Sequence, residues 1–240
     1  SSSVGWLSVA TSLLGAACCY LLPYCPPNAN LPKNAMDALG LRAFCLFKER
    51  DIGIFFGIAF LFSIPLSAYF MHTPMQLRFL GCEQIAAVMT IGQLTEVAAM
   101  LIMGWLLRTW KIKTIFALAL SCGTFRYMLY AIGASDNSLT CVLLGVALHG
   151  VCWSYFFEVG KVFIARKVPC EIRTQSQALL CLMTSGIGGL MGTVLVGWTY
   201  NYFVDQATGI GWDNYWWALT ALSGFCLIIF IIGFQRKKSV

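Results

Sequence analysis

Charged side chains are scarce in this sequence. Asp, Glu, Lys and Arg make up 11% of the 240 residues, whereas soluble globular domains contain about 25%. Apolar residues reach 59%, and the mean hydropathy is +0.75. This composition excludes a soluble domain and predicts a polytopic membrane protein of the all-α class. A β-barrel is excluded because the apolar runs are continuous, whereas its strands alternate with a period of two.

Histidine is also rare, with two residues, and the 11 cysteines include no CxxC pair. The sequence therefore lacks a His/Cys cluster with the spacing of metal ligands. We expect the cysteines to be small apolar packing residues, and we expect neither a metal nor a cofactor. An intramembrane protease is disfavoured because the apolar runs contain no pair of aspartates and no Ser-His constellation. The chain is not expected to be an enzyme.

Seven apolar runs are long enough to cross the membrane, since about 30 Å of hydrocarbon requires roughly 17–25 helical residues. They are Val4 to Leu22, Ile52 to Phe70, Ile85 to Leu107, Thr114 to Ile132, Leu139 to Ala165, Ala178 to Tyr200 and Tyr215 to Phe234. Seven-helix receptors and rhodopsins share this number of spans. A rhodopsin is disfavoured because the last run has no lysine for a retinal Schiff base.

Basic residues are concentrated on one side of the predicted spans. Thirteen occupy one set of connections: Lys33, Arg42, Lys48, Arg50, Arg108, Lys111, Lys113, Arg166, Lys167, Arg173, Arg236, Lys237 and Lys238. The other set has Arg78 beside Glu83, Asp136, Asp205 and Asp213. The positive-inside rule then predicts an integral protein of the plasma or inner membrane with its N-terminus outside and its C-terminus cytoplasmic. The net charge of +6 reflects this topology and gives no reason to expect a nucleic-acid partner.

The longest connection separates the first run from the other six. It begins with a proline-rich stretch and ends in an amphipathic one, where Met36, Leu39, Phe44 and Phe47 can share a face. Such a segment is typical of a helix at a membrane interface. We therefore predict a single helix, a cytoplasmic loop with an amphipathic helix, and a six-helix bundle, at residues 1–22, 23–50 and 51–240. This layout suggests a fragment in which one helix remains of a preceding bundle.

Five segments, in order and with consistent spacing, carry a family resemblance. They are "GLRAFCLFKERDIGIFFGIAF", "SIPLSAYFMHTP", "IGQLTEVAAMLIM", "FRYMLYAIG" and "LHGVCWSYFFEVGKVFIARKVPCEIRTQSQALLCLMTSGIGGLMG". Together they resemble the C-terminal six helices of the nucleoside:proton symporter family of the major facilitator superfamily. The resemblance implies a secondary active transporter that alternates access to a midplane site between two six-helix bundles. Its expected partners are a nucleoside, protons, the lipid bilayer and the missing N-terminal bundle. Another small polar metabolite, such as a sugar, is the alternative substrate.

Gln93 and Glu96 stand near the middle of the third run, where the resemblance places substrate-binding residues. A carboxylate at that depth is costly unless it is paired, reached by water or protonated. Glu96 is therefore the predicted proton-coupling residue as well as a substrate contact. Gln93 shares its face and can hydrogen-bond a ribose hydroxyl or a base edge. The alternative is that Glu96 only forms a hydrogen bond between helices.

The fifth run departs from the family pattern. The family has an aromatic residue followed by Asp in this helix, and the corresponding residues here are Trp153 and Ser154. Trp153, Ser154 and Phe157 are predicted substrate contacts, and the two aromatic rings can stack on a nucleobase. Glu158 is a second candidate for proton coupling, one turn nearer the cytoplasm. Alternatively, Lys161 neutralises it.

An ideal helix predicts which residues of the fifth run share a face. At about 100° per residue, Trp153, Ser154 and Lys161 fall on the side of His149. Glu158 falls opposite, so His149 and Glu158 are not expected to face one cavity. We expect His149 to hydrogen-bond between helices rather than to relay protons.

Three further features lie on other runs. Ser67, in the second run, is a predicted substrate contact. Arg126 lies toward the outer end of the fourth run, where we expect its long side chain to reach the interface. Gly188 and Gly192 form a small-xxx-small pair that permits close contact between helices.

Overall fold

The structure, a computed structural model, describes residues 2–24 and 41–234. The chain divides into two units, Ser1–Ala38 and Leu39–Val240, and each is described by itself. The first unit contains helix α1 (Ser2–Cys19). Its apolar part, Gly5–Cys19, is shorter than the long apolar helices of the second unit. The first predicted run is thus a helix, and its role as a membrane span stays a prediction.

Six helices of the second unit are long and apolar enough to cross a membrane. They are α2 (Arg50–Phe79), α3 (Ile85–Thr109), α4 (Ile112–Ser135), α5 (Leu139–Lys167), α6 (Cys170–Phe203) and α7 (Trp212–Gly233). Each contains an 18-residue window whose mean hydropathy lies between 1.5 and 2.1. Six of the predicted runs are therefore confirmed as apolar helices of membrane length. The described residues also confirm the all-α class.

Helix α2 is longer than its apolar run predicted. It continues past Phe70 to Phe79 and passes through two prolines, Pro65 and Pro74. Polar residues in the added turns are buried, and Nε2 of Gln76 donates to the carbonyl of Tyr130 at 3.1 Å. A buried polar group is tolerated when it has a hydrogen-bond partner, so a count of apolar residues placed the end of this helix too early.

The bundle contains two apolar clusters of different composition. The cluster nearer the basic connections, the phenylalanine cluster, includes Phe55, Phe56, Phe62, Phe116, Phe156, Phe163, Phe230 and Phe234. The cluster at the opposite end, the tyrosine–tryptophan cluster, includes Tyr69, Tyr127, Tyr130, Tyr200, Trp212, Tyr215 and Trp216. Phenylalanine needs no hydrogen-bond partner, whereas tyrosine and tryptophan each bring a polar group into the interior. In the half of the bundle that contains the tyrosine–tryptophan cluster, buried polar side chains therefore have tyrosine hydroxyl and tryptophan N–H groups nearby.

Glycines allow α6 to pack closely on α2. A Cβ atom at Gly192 would lie 2.5 Å from Oγ of Ser67 and 3.2 Å from Cα of Ile64. A Cβ at Gly188 would overlap Oγ of Ser63. A larger residue at either position would force the two helices apart. The predicted role of the small-xxx-small pair in helix packing is confirmed.

A 3-10 helix (Leu41–Lys48) precedes α2. Its fully or nearly buried side chains are Ala43 and Leu46. Of the four residues predicted to form an apolar face, Met36 and Leu39 lie outside the described residues. The other two, Phe44 and Phe47, are exposed by 48% and 37%, with ring centroids 5.9 Å apart. This 3-10 helix therefore packs on the bundle through Ala43 and Leu46, while Phe44 and Phe47 remain exposed.

Candidate functional site

Helices α3 and α5 approach each other closely at Gly150. A Cβ atom at this position would collide with the backbone of Thr95 and Glu96. The N–H of Gly150 donates instead to Oγ1 of Thr95 at 3.3 Å. Because glycine has no side chain, the two backbones can meet here. This contact places Glu96 of α3 directly beside α5.

Ser154 adds a second hydrogen bond to the same contact. Its side chain is fully buried, and its hydroxyl donates to the carbonyl oxygen of Glu96 at 3.4 Å. Ser154, which the sequence resemblance placed at the position of the family's usual acid, thus links the two helices. Its role as a substrate contact stays a prediction.

Three predicted site residues are accessible beside this contact. Gln93 is exposed, and Glu96 and Trp153 are partly exposed. Glu158 and Lys161 lie within electrostatic range of Glu96. We call these five residues the α3–α5 surface. The surface combines an amide, two carboxylates, an ammonium group and an indole ring.

Glu158 and Lys161 form an ion pair, and Glu96 does not. Nζ of Lys161 lies 2.6 Å from Oε1 of Glu158. Across residues 2–24 and 41–234, no basic group lies within ion-pair distance of the Glu96 carboxylate. The carboxylate of Glu96 therefore remains available to a proton or a ligand, whereas that of Glu158 has its charge balanced.

Helix α5 changes its geometry within the site. Residues Ser154–Glu158 form a π-helix, in which each N–H bonds to the fifth preceding carbonyl rather than the fourth. The rotation of about 100° per residue that was assumed for an ideal α-helix is therefore valid only up to Trp153. His149 and Glu158 do face different surroundings, as expected. His149 is buried in the core, and Glu158 lies within electrostatic range of Glu96 on the α3–α5 surface.

The two aromatic residues predicted to stack on a base have different surroundings. Trp153 is partly exposed, whereas Phe157 is 5% exposed and belongs to the phenylalanine cluster. Their ring centroids are 4.8 Å apart, and the ring of Phe157 also stacks near that of Phe62 at 6.3 Å. Trp153 can therefore reach a ligand directly, with Phe157 packed behind it. Stacking on a base stays a prediction for both.

Arg126 is fully buried, so the expectation that it reaches the membrane interface is wrong. Nη1 donates to Nδ1 of His149 at 2.7 Å, and Nη2 donates to the hydroxyl of Tyr127. Cζ lies 4.8 Å from the ring centroid of Tyr69 and 4.6 Å from that of Tyr127. Guanidinium groups are attracted to aromatic faces. Hydrogen-bond acceptors and aromatic rings thus hold this charge inside the bundle.

His149 connects Arg126 to the α3–α5 surface. Arginine cannot accept a hydrogen bond, so Nδ1 of His149 is the acceptor and its ring proton is assigned to Nε2. The ring stacks on Tyr69, with centroids 4.1 Å apart, and its centroid lies 6.1 Å from that of Trp153. The expectation that His149 hydrogen-bonds between helices is confirmed. Sequence inspection missed Arg126 as its partner, although both residues occur in adjacent spans.

Ser67 does not join the α3–α5 surface. Its hydroxyl donates to the carbonyl of Ser63 at 3.1 Å within α2. Its side chain is half-buried and faces Gly192 of α6. The structure therefore places it at the α2–α6 contact, and its role as a substrate contact stays a prediction.

Comparison with protein families gives a match over almost the whole chain. The family model for nucleoside H+ symporters matches residues 3–239. The putative nucleoside transporter YegT of Escherichia coli (strain K12) is 27% identical over 97% of this chain and 56% of its own length. The xanthosine permease of the same organism is 27% identical over 96% of this chain and 58% of its own length. This chain therefore spans little more than half the length of these relatives.

Solved structures share the fold. A crystal structure of a mutant of the nucleoside transporter NupG is similar over 89% of this chain and 56% of that chain, with a TM-score of 0.76 and 24% sequence identity. A second NupG structure covers 97% of this chain and 60% of that chain, with a TM-score of 0.72 and 22% identity. The chain thus shares the fold of part of that transporter.

Proposed function

Since this chain belongs to the nucleoside H+ symporter family, whose members are transporters rather than enzymes, we propose that it forms part of a proton-coupled nucleoside transporter. In this proposal, α2 to α7 are the C-terminal bundle of a major facilitator transporter, and α1 is the last helix of the N-terminal bundle. The basic connections lie in the cytoplasm and the N-terminus lies outside. Two relatives named as a nucleoside transporter and a xanthosine permease support this substrate class.

The α3–α5 surface is the observation that carries the proposal. Glu96 is partly exposed within a membrane-length helix and has no ion-pair partner in the described ranges. Gln93 is exposed on the same helix, and Trp153 is partly exposed on the neighbouring one. A midplane site between two bundles needs polar groups on a face that the opposite bundle can cover. This surface has such groups.

Each residue has a distinct role in the proposed cycle. The Gln93 amide hydrogen-bonds the ribose or base, and the Trp153 ring stacks on the base. Glu96 accepts a proton from the side with the higher proton concentration. The site then closes on one side and opens on the other with the acid neutral and the nucleoside bound, because enclosing an ionised carboxylate in the apolar interior costs several kcal/mol. Release of the proton on the other side restores the carboxylate.

Uptake by proteoliposomes tests this proposal. The full-length protein, wild type or Glu96→Gln, is reconstituted, and uptake of labelled uridine is measured with and without an inward proton gradient. We expect gradient-driven uptake in the wild type and its loss in Glu96→Gln. Uridine uptake that is unchanged by both the proton gradient and the substitution would indicate a facilitator. Absence of uridine uptake would contradict the proposed substrate class. Competition experiments with adenosine and a hexose, against uptake of whichever labelled compound is transported, would then identify the substrate class.

A further inference from the structure

A cavity of about 480 Å³ opens on the basic side of the bundle, between α2, α4, α5 and α7. Four of the residues that line it are basic: Lys111, Lys113, Arg166 and Lys167. Asp51 is the one acidic residue in its wall. The formal charge of the lining is therefore +3, from four cations and one carboxylate. An anion would be attracted to this cavity from the surrounding solution or membrane.

The four basic groups differ in whether they already have partners within the protein. Nζ of Lys113 donates to the carbonyls of Ile231 and Phe234 at 3.1 and 2.5 Å, which ties α4 to the end of α7. Lys111, Arg166 and Lys167 are exposed. None of these three forms an ion pair with a residue that the structure describes. Three positively charged groups thus remain available to a ligand.

The first turn of α4 contributes to the same wall through Ile112, Lys113 and Thr114. The N–H of Thr114 already donates to the carbonyl of Lys111 at 2.9 Å. The N–H groups of Ile112 and Lys113 precede the first bond of the helix, and the helix dipole makes this end positive. Backbone donors and basic side chains therefore act on the same space. This combination suits a phosphate-type oxyanion.

The floor of the cavity is apolar. Phe163 and Phe234 line it and are 3% and 6% exposed, with ring centroids 5.7 Å apart. A free phosphate ion would gain nothing from these rings. A phospholipid would gain from both parts, because its phosphate meets the cations while its glycerol and first acyl carbons cover the aromatic floor.

We propose that this cavity binds the headgroup of an anionic phospholipid from the surrounding bilayer. The phosphodiester lies among Lys111, Arg166 and Lys167, and the apolar part of the lipid rests on Phe163 and Phe234. Basic pockets between transmembrane helices are suited to such headgroups. The bound lipid contacts four helices at once and holds their ends together. This site is separate from the α3–α5 surface and does not depend on which solute is transported.

Native mass spectrometry of the full-length protein provides the test. The protein is released from bilayers that contain phosphatidylglycerol and phosphatidylcholine with identical acyl chains, and the retained lipids are counted. We expect the wild type to retain phosphatidylglycerol preferentially. Arg166→Gln/Lys167→Gln should weaken this retention about 25-fold, since each basic residue near an anionic lipid contributes about fivefold. Lys111→Gln, a single change at an exposed residue, should weaken it about fivefold.

The matched control is Arg108→Gln/Arg173→Gln. Both residues are exposed and lie at the same end of the bundle, but neither lines the cavity. Retention in this control should equal that of the wild type, and an equal loss would overturn the proposal in favour of a diffuse surface charge. Equal retention of the two lipids by the wild type would also overturn it. Displacement of the lipid by millimolar inorganic phosphate would assign the site to a free anion instead.

Discussion

Arg126 of α4 and His149 of α5 are joined by a hydrogen bond of 2.7 Å inside the bundle. The guanidinium is fully buried, and no carboxylate of the described residues pairs with it. The next residue in the chain, Gly150, is the point where α5 meets α3. The Arg126–His149 pair therefore fixes α5 at the level where Glu96 lies.

Replacing Arg126 by Leu should destabilise the protein. The substitution leaves Nδ1 of His149 and the hydroxyl of Tyr127 without their donor. An unsatisfied buried polar group costs about 1–3 kcal/mol. At about 2–4 °C per kcal/mol for a chain of this size, we expect a decrease in melting temperature of roughly 2–12 °C. Thermal unfolding of the purified full-length protein measures this. Arg78→Leu, at an exposed position, is the control, and equal melting temperatures for the two variants would contradict the buried network.

Substitutions of His149 should separate its role as an acceptor from its size. The side-chain oxygen of Asn can occupy a position close to that of Nδ1 and accept from Arg126. We therefore expect His149→Asn to retain more stability than His149→Leu, which leaves the guanidinium without this acceptor. A difference of about 1–2 kcal/mol in unfolding free energy is expected. The opposite order of stability would show that packing on Tyr69 matters more than the hydrogen bond.

Gly150→Ala should disrupt the α3–α5 contact. The added methyl group collides with the backbone of Thr95 and Glu96, and overpacking of this kind costs about 1–3 kcal/mol. Uptake should fall more than tenfold because Glu96 is displaced. Gly104→Ala is the matched control, since a Cβ at this position on α3 meets nothing within 4 Å. Unchanged uptake in both variants would refute the close approach of the two helices.

Glu158→Gln should leave proton-driven uptake within about twofold of the wild type. The carboxylate of Glu158 is already balanced by Lys161, and a partly exposed pair of this kind contributes less than about 1 kcal/mol. Glu96→Gln, measured in parallel, should abolish the response to the gradient. If Glu158→Gln abolished it and Glu96→Gln did not, the coupling residue would lie on α5.

The α6–α7 connection should lose order in acid. Oδ1 of Asp205 accepts from the N–H of Ala207, and Oδ2 accepts from the hydroxyl of Thr208. These bonds lower the pKa of Asp205 in the folded protein. Its contribution to stability is therefore present above the ordinary Asp pKa of about 3.9 and is lost as the pH falls through the lower, folded-state pKa.

Hydrogen exchange of residues 204–211 between pH 5 and pH 2.5 measures this effect after correction for intrinsic rates. Protection in the wild type should fall toward the acid end. In Asp205→Asn, protection should be lower than in the wild type across the whole pH range. It should not decrease in acid, because the variant has no carboxylate at this position to be protonated. A parallel decrease in both proteins would place the acid-sensitive group elsewhere.

Much of the fold could be predicted from the sequence because a membrane span has a simple requirement. Apolar runs such as that of α3 predicted both the helix and its limits. The end of α2 could not be predicted in the same way, since Gln76 is buried through a bond to Tyr130 that belongs to the assembled bundle. Hydropathy measures solvent preference and contains no information about hydrogen-bond partners.

The candidate site also has one part that could be predicted from the sequence and another part that could not. Glu96 could be found because a lone carboxylate in an apolar run is conspicuous. The π-helix at Ser154–Glu158 could not be predicted, because it changes the rotation between residues and has no clear sequence signature. Arg126 was misplaced because its depth was judged from position along α4, whereas its environment is created by His149, Tyr127 and Tyr69.

The buried arginine also bears on how the chain enters the membrane during synthesis. Among the six long helices, the 18-residue apolar window of α4 has the lowest mean hydropathy, 1.5. Arg126 lies within one turn of the middle of α4, and an arginine at the centre of a membrane helix opposes insertion by about 2.5–3.5 kcal/mol. Its partner His149 emerges from the ribosome only with α5. We therefore expect α4 to insert efficiently as an α4–α5 hairpin and poorly by itself. Glycosylation mapping of the two segments in microsomes would show this, and equal insertion of α4 with and without α5 would exclude it.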